Sequence, residues 1–329
     1  MTLCAVVLAA GEGRRLRPLT LLRPKALCPV GNVPLLDRVL DRLAAVGLIG
    51  PDSVAVNASY LGEQVVAHVD GRAHPSLEAG GPLGTAGGVG RLRDWIGGRG
   101  VLVGNADAYL APAKAPTSGP PSGADLADPA DPADLADLVA GWDGDSVRLL
   151  GGPAGPGAPP EFGAYRFAGF SLLPWRLVRD LRPEPSDLVR TVWRPADAAG
   201  ILSVVPYRGR YLDTGTPANY LHANLHAIAA GPVPPNSVRV GHVAGAEGPT
   251  LTELGTELGE GRPGASLVDT GATITGRLDR AVVGAGATVR GEVTRGVVWP
   301  SGYVGPDEHL VDAVRAGRDL TVPSEAPLA

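Results

Sequence analysis

Cysteine is scarce in this chain, with two in 329 residues. Cys4 and Cys28 sit in apolar stretches without metal-ligand spacing, so they read as buried free thiols of a reducing compartment. No sign of charge dominates. The formal net charge of -5 gives no global electrostatic case for nucleic acid or an anionic membrane as a partner. Long apolar runs are also missing. The opening MTLCAVVLAAGEG lacks a basic n-region and is too short to span a bilayer, so it reads as a buried first strand. No other segment is apolar enough to cross a membrane, and a soluble cytoplasmic protein is expected. What is abundant is glycine and proline, at 47 and 32 residues, far above ordinary usage. With 44% hydrophobic residues, the chain has material for one large core and a smaller domain.

The elements follow from hydrophobic spacing. Leu3 to Ala10 is a continuous apolar run ending in glycine, as suits a central parallel strand. A polar, basic, proline-punctuated loop runs from Gly11 to Val30. Leu35, Leu36, Val39, Leu40 and Leu43 then recur at helical spacing, and Gly47 closes that helix. Short strands are expected over 53–57 and 101–103, with a helix over 62–69 between them. A glycine-rich turn at 80–90 leads into a helix through Trp95. Strand-like patterning returns at 147–150 and 164–172, and Pro217 opens a helix running through His226. This alternation predicts a Rossmann-like, doubly wound α/β domain with its site beyond the carboxyl ends of the strands. The polar clusters after Ala10, Val56 and Val103 all fall there.

Residues 1–230 are expected to form this domain, interrupted at 111–141 by an Ala/Pro/Asp-rich acidic insertion with a short helix near Leu135. A Gly/Pro-rich linker follows at 231–264. Over 265–329, small apolar residues recur about every six positions: Val268, Ile274, Val283, Val289, Val298 and Val304. This hexapeptide pattern predicts a short parallel β-helix. Its expected role is homo-oligomerisation or cover, so that deleting residues after Ala230 alters assembly more than chemistry. The repeat is too short, and lacks a placed histidine, for an acyltransferase. His222 and His226, four apart without a third ligand, read as helix-surface residues.

The strongest chemical signal is Gly11-Glu-Gly-Arg-Arg-Leu-Arg-Pro-Leu-Thr20, followed by Arg23-Pro24-Lys25. Glycines at a strand end let backbone N–H groups approach phosphate oxygens. Arg14, Arg15, Arg17, Arg23 and Lys25 crowd positive charge that a triphosphate or pyrophosphate compensates. This run resembles the signature G-x-G-x-R-x-x-P-L-T-x-x-x-P-K of sugar-1-phosphate nucleotidylyltransferases. The resemblance implies nucleotidylyl transfer from a nucleoside triphosphate to a sugar 1-phosphate, with Arg15 on the triphosphate and Lys25 at the reacting centre.

Further stretches extend the resemblance. Val56-Asn57-Ala-Ser-Tyr-Leu61 is similar to the strand and turn near base and sugar. Gly81-Pro-Leu-Gly-Thr-Ala-Gly-Gly88 is similar to the family's second glycine loop, whose backbone packs against the nucleobase. Gly104-Asn-Ala-Asp107 and Tyr211-Leu-Asp-Thr-Gly-Thr-Pro217 resemble its N-G-D turn and W-x-D-x-G-T-P motif. These imply nucleotide contacts from Leu8, Ala10, Gly11, Gly13, Arg15, Gly84, Thr85 and Gly87, and sugar-phosphate contacts from Asn57 and Gly169. Asp107 and Asp213 are the implied Mg²⁺ carboxylates, a hard-oxygen pair suited to a metal that also binds substrate phosphates. The implied fold adds a small left-handed β-helix after the catalytic domain. Mannose-1-phosphate guanylyltransferase-like members carry that tail, whereas residues 34–69 also resemble N-acetylmuramate-1-phosphate uridylyltransferase-type members, which lack it.

Four departures stand out: Arg14 where threonine is common, Ala106 in place of the N-G-D glycine, Gly81 in place of a glutamate with Glu78 three residues earlier, and no E-K-P-like segment between Gly141 and Phe170. Arg148 and Arg166 are positional candidates for the missing lysine. Mannose 1-phosphate with GTP is the expected pair. Glucose 1-phosphate with dTTP or UTP, and an amino-sugar 1-phosphate with UTP, stay open. A reading of another class, a catalytically weak nucleotide-sugar-sensing subunit, is opposed by retention of Arg15, Lys25, Asp107 and Asp213.

Overall fold

The computed structural model describes residues 2–111, 133–154, 159–231, 233–241 and 264–324. The centre of the expected insertion, most of the 231–264 linker and residues 325–329 lie outside the described residues. The helix expected near Leu135 spans Ala133–Val139.

A seven-stranded sheet forms the centre, in the order 202–206, 147–153, 165–173, 100–105, 3–8, 54–58 and 74–77. The strand Leu3–Leu8 is parallel to both neighbours, Val54–Ala58 and Gly100–Asn105. Its residues feed two cores in alternation, which is why it reads as a continuous apolar run. Ala5 and Val7 pack with Leu36, Val39 and Leu43 of the helix Leu35–Ala45. Cys4 and Val6 pack on the opposite face with Ala86 and Val89 of the helix Gly84–Arg91. Burial pushes the Cys4 thiol up to about 11 and the Cys28 thiol up to about 12, so both are inert at neutral pH. The strand Tyr165–Leu173 runs antiparallel to its neighbours on either side, making the sheet mixed. The Rossmann-like, doubly wound expectation is met.

A two-stranded ribbon stands apart from this sheet. Ala108–Ala111 pairs antiparallel with Arg210–Asp213, setting Asp213 opposite Ala108. Sequence patterning missed the Ala108–Ala111 strand, because four residues carry too little periodicity to mark one. The helix Pro217–Ala230 follows at once, with Thr216 Oγ1 accepting from the Asn219 amide at 3.2 Å.

The carboxy-terminal residues form parallel strands in three ladders, fitting a β-helix-like domain. Leu267 lies beside Val282, which lies beside Val297, which lies beside Val314. A second ladder joins Ile274, Val289 and Val304, and a third joins Leu278, Val293 and Leu310. The six-residue step holds from Val268 to Ile274, Val283 to Val289 and Val298 to Val304. The third face, with Leu278 and Val293, interrupts it with shorter steps. Antiparallel strands Ser237–Val240 and Leu320–Pro323 cover the two ends.

The coil packs on the amino-terminal part of the chain: Leu267, Val282, Val297, Trp299 and Val314 share one core with Leu16, Leu19, Cys28, Val30 and Leu35. One expectation needs correction. His226 is not a surface residue. It lies half-buried, edge-on to Tyr109 with ring centroids 5.9 Å apart, and its Nδ1 is buried without a partner. The helix Pro217–Ala230 packs between ribbon and coil, so a residue pair that looked solvent-facing is split, with His222 outside and His226 inward.

Candidate active site

The loop after the first strand is closed by its own residues. Gly13 takes φ +60, and a Cβ there would meet Thr20 Cγ2 at 2.9 Å, so glycine is required. Thr20 is fully buried and donates from Oγ1 to the Gly13 carbonyl at 3.0 Å. That bond accounts for the threonine at the end of the motif. The loop borders a cleft of about 380 Å³. Leu8, Ala10, Gly11, Gly13, Arg15, Gly84 and Thr85 all line it, as do Lys25, Asn57 and Asp107. Gly215, absent from the sequence-based selection, also lines it, and a Cβ there would sit 2.6 Å from Arg15 Nη2.

Of the five loop cations, two converge on the carboxylates. Lys25 is 5% exposed, and its Nζ donates to Asp107 Oδ2 at 3.2 Å and Asp213 Oδ1 at 3.4 Å. Arg15 Nη2 donates to Asp213 Oδ2 at 3.2 Å. The ribbon makes this possible, because pairing Asp213 with Ala108 brings two turns distant in sequence to one end. Thr214 Oγ1 fastens them by donating to the Asp107 carbonyl at 3.0 Å. The chain has two lysines, Lys25 and Lys114. A compact ammonium suits a position between two carboxylates where a guanidinium fork is larger.

The other three cations do not reach these carboxylates, although Arg14 also lines the cleft. Arg14 donates to both Glu12 oxygens, at 2.6 and 2.8 Å, and Arg17 donates to Glu12 at 3.3 Å. The Arg14 hydrogen bond holds the Glu12 carboxyl below its ordinary range. Arg23 turns away from the cleft and lies over the Trp299 ring, 5.2 Å from its centroid. The basic loop is thus partly neutralised from within.

Asn57 and Glu78 form a bracket beneath the cleft. Asn57 is 2% exposed; its Oδ1 accepts from the Ala9 amide at 2.7 Å and its Nδ2 donates to Glu78 Oε1 at 2.8 Å. Glu78, 3% exposed, accepts from the Leu83 amide through Oε2 at 2.8 Å. One carboxylate therefore ties the first glycine loop to the second. Position 81 held no glutamate, and Glu78 takes the buried role from three residues earlier. With both ends engaged inside the protein, Asn57 lines the cleft as a brace for Ala9.

The second glycine loop differs from expectation in one respect. At Gly87 a Cβ would lie 2.2 Å from the Glu184 carbonyl oxygen, and at Gly84, with φ +73, 2.4 Å from that of Ser186. These glycines admit the 182–186 backbone, and Gly87 does not line the cleft. Thr85 also serves this contact, accepting from the Leu188 amide at 2.8 Å.

Gly169, with φ +84, sits apart from the cleft beside Leu110 and Tyr211. The two arginine candidates separate clearly. Arg148 donates to the carbonyls of Leu138, Ala140 and Gly141, capping the helix Ala133–Val139. Arg166 pairs with Glu161 at 3.1 Å. Burial first, then the charges of Asp107, Asp213 and Glu161, raise the Tyr211 hydroxyl far above its ordinary value, with Arg166 opposing. The Arg166 charge therefore acts on Tyr211, two residues before Asp213, whereas the Arg148 guanidinium is taken up by the helix end.

Among the described residues no three His, Cys, Asp or Glu side chains cluster as metal ligands. The donor set is a carboxylate pair, which suits Mg²⁺ shared with substrate phosphates. The Lys25 ammonium already lying between Asp107 and Asp213 shows that positive charge fits there. Among the described residues no helix is long and apolar enough to cross a membrane.

A model of the MobA-like NTP transferase domain matches residues 5–116. The N-acetylmuramate alpha-1-phosphate uridylyltransferase of Caulobacter vibrioides is 38% identical over 112 residues, 32% of this chain and 45% of that protein. The mannose-1-phosphate guanylyltransferase of Mycobacterium tuberculosis is 34% identical over 128 residues, 37% of this chain and 32% of that protein. Each match spans less than half of the relative's own length. A crystal structure from Bacillus anthracis, assigned as a glucose-1-phosphate thymidylyltransferase and solved with sucrose, shares the fold at TM-score 0.51 and 18% identity, covering 69% of this chain and 95% of that one. Over residues 5–116 the chain is therefore similar to the MobA-like NTP transferase domain, and the relatives named here are sugar-1-phosphate nucleotidylyltransferases.

Proposed function

We propose that this chain transfers a nucleotidyl group from a nucleoside triphosphate to a sugar 1-phosphate, releasing pyrophosphate. The observation that carries this reading is the Lys25 ammonium between Asp107 and Asp213, at the mouth of a cleft lined by glycine loops. The sugar phosphate is already an anion, so its oxygen attacks the α-phosphorus without a general base. One P–O bond forms as the bond to pyrophosphate breaks. What the protein supplies is alignment and neutralisation of charge on the leaving group. Arg15 is 69% exposed at its side chain, and it trades Asp213 for the incoming triphosphate. Lys25 stays fixed and offers its charge to the reacting phosphates. Asp107 and Asp213 would hold Mg²⁺, which would supply neutralising charge to the triphosphate. Arg166 takes the place of the absent lysine on the sugar-phosphate side.

Mannose 1-phosphate with GTP is the pair we propose, supported by the β-helix-like carboxy terminus. A second reading, an N-acetylated amino-sugar acid 1-phosphate with UTP, is favoured by the 38% identity to the Caulobacter uridylyltransferase. Pyrophosphate release across a panel of sugar 1-phosphates and nucleoside triphosphates, with Mg²⁺, tests both. Nucleotide-sugar binding without turnover on any pair would instead identify a sensing subunit.

A further inference from the structure

We propose that the carboxy-terminal coil is a working part of the catalytic centre, with Trp299 a positioning residue that holds the 23–29 segment and, through it, the Lys25 ammonium. This rests on the nucleotidylyltransferase reading for its catalytic consequence, though not for the tether itself.

Trp299 is 3% exposed and reaches the segment on both sides of Lys25. On one side its ring supports the Arg23 guanidinium, 5.2 Å from the centroid. Arg23 Nη1 in turn donates to the Leu27 carbonyl at 3.5 Å. On the other side Trp299 Nε1 donates to the Tyr220 hydroxyl at 2.9 Å, and that hydroxyl donates to the Pro29 carbonyl. Lys25 lies between these anchors, in the single 3₁₀ turn Lys25–Leu27. The backbone of the turn has local bonds, from Leu27 N to the Pro24 carbonyl at 2.9 Å and Cys28 N to the Lys25 carbonyl at 3.0 Å, while Ala26 and Leu27 pack in the core with Leu36 and Val39. Trp299 adds a grip at each end of it.

The coil and the helix Pro217–Ala230 together grip the following residues as well. Asn32 Nδ2 donates to the Val283 carbonyl at 3.0 Å and to Ser237 Oγ at 3.2 Å. The Gly31 amide donates to Asn224 Oδ1 at 2.9 Å, and a Cβ at Gly31 would touch Leu267 at 3.5 Å. Cys28 and Val30 are buried in the core they share with Val282, Val297 and Val314. A coil serving only assembly has no need to bury an indole under a loop that carries a reacting cation.

The test uses the full chain with Trp299→Leu, Trp299→Phe and, as control, Val289→Ala in the coil's separate inner core, away from the loop. Hydrogen exchange of the peptide spanning residues 22–32 is read together with kcat and nucleotide KM. Trp299→Leu is expected to speed exchange in that peptide and to lower kcat by about tenfold or more, with KM changed less than about threefold. Trp299→Phe, which keeps a ring under Arg23, is expected to recover much of the kcat. Val289→Ala is expected to leave that peptide's exchange unchanged. Unchanged exchange in Trp299→Leu, or an equal rise in Val289→Ala, overturns the tether. Faster exchange with unaltered kcat overturns its catalytic role. A wild type without turnover on any substrate pair removes the functional reading instead, while the exchange result still decides the tether.

Discussion

The Lys25 ammonium lies 3.4 Å from Asp213 Oδ1 across 188 residues of sequence, and Arg15 reaches the other oxygen of the same carboxylate at 3.2 Å. Asp213 thus restrains both cations assigned to the triphosphate. Replacing it with asparagine removes that competition and half of the carboxylate pair together. Asp213→Asn is expected to bind nucleoside triphosphate more tightly without Mg²⁺, by about threefold to tenfold, yet to turn over at least about a hundredfold more slowly with it. Titration calorimetry in EDTA and steady-state kinetics in Mg²⁺ read the two effects. Weaker metal-free binding would show that Asp213 orders the arginine more than it competes for it.

From a buried position Glu78 accepts from the Leu83 amide of the second glycine loop and from Asn57, which in turn holds Ala9 before the first. Glu78→Ala strands the buried Asn57 amide and leaves the part-buried Leu83 N–H without its acceptor. A loss of about 2–4 kcal/mol is expected, with a raised KM for the nucleotide. Urea unfolding and nucleotide saturation curves check both. A stability change under about 0.5 kcal/mol would mean that other groups satisfy these donors.

Arg166 is the surviving candidate for the sugar-phosphate cation. Arg166→Ala is expected to raise the KM for sugar 1-phosphate about tenfold or more while leaving that for the nucleotide within about twofold. Arg148→Ala is expected to change neither KM, since its guanidinium caps a helix. The reverse pattern in initial-rate measurements would contradict the assignment.

His226 supplies a pH dependence. Burial, then the Arg210 and His222 charges, lower its pKa below the ordinary imidazole value of about 6.5. The unfolded chain therefore binds this proton more readily than the folded one. The associated stability is full above about pH 6.5 and drains away as pH falls through the lower folded value. Tm is expected to decline over that acidic range in the wild type, and His226→Gln is expected to flatten part of the decline. An equal slope in both proteins would clear His226 of the effect.

Much of this site was legible because its parts are local. The strand Leu3–Leu8, the glycine loop and the helix Leu35–Ala45 each announce themselves within about a dozen residues by period and punctuation. The meeting of Lys25 with Asp107 and Asp213 was legible only through motif resemblance, since the ribbon that creates it pairs two four-residue strands far apart in sequence. Arg23 misled because charge near a phosphate loop looks alike whether it faces the ligand or an indole. Gly87 misled similarly: glycine marks a close approach but not what approaches, and here it is the Glu184 carbonyl. The coil's partnership with the catalytic loop left no local mark, because Val282 and Val297 look the same whether their ladder packs on Cys28 or on itself.

The central claim is most directly tested by Mg²⁺-dependent pyrophosphate release in the wild type and in Lys25→Met, which keeps the buried stem and removes the charge. Wild-type turnover on at least one sugar 1-phosphate, falling by about a hundredfold or more in a variant that remains folded, is the predicted result. A fall of less than about tenfold, roughly 1.4 kcal/mol of barrier, would place the reacting centre elsewhere.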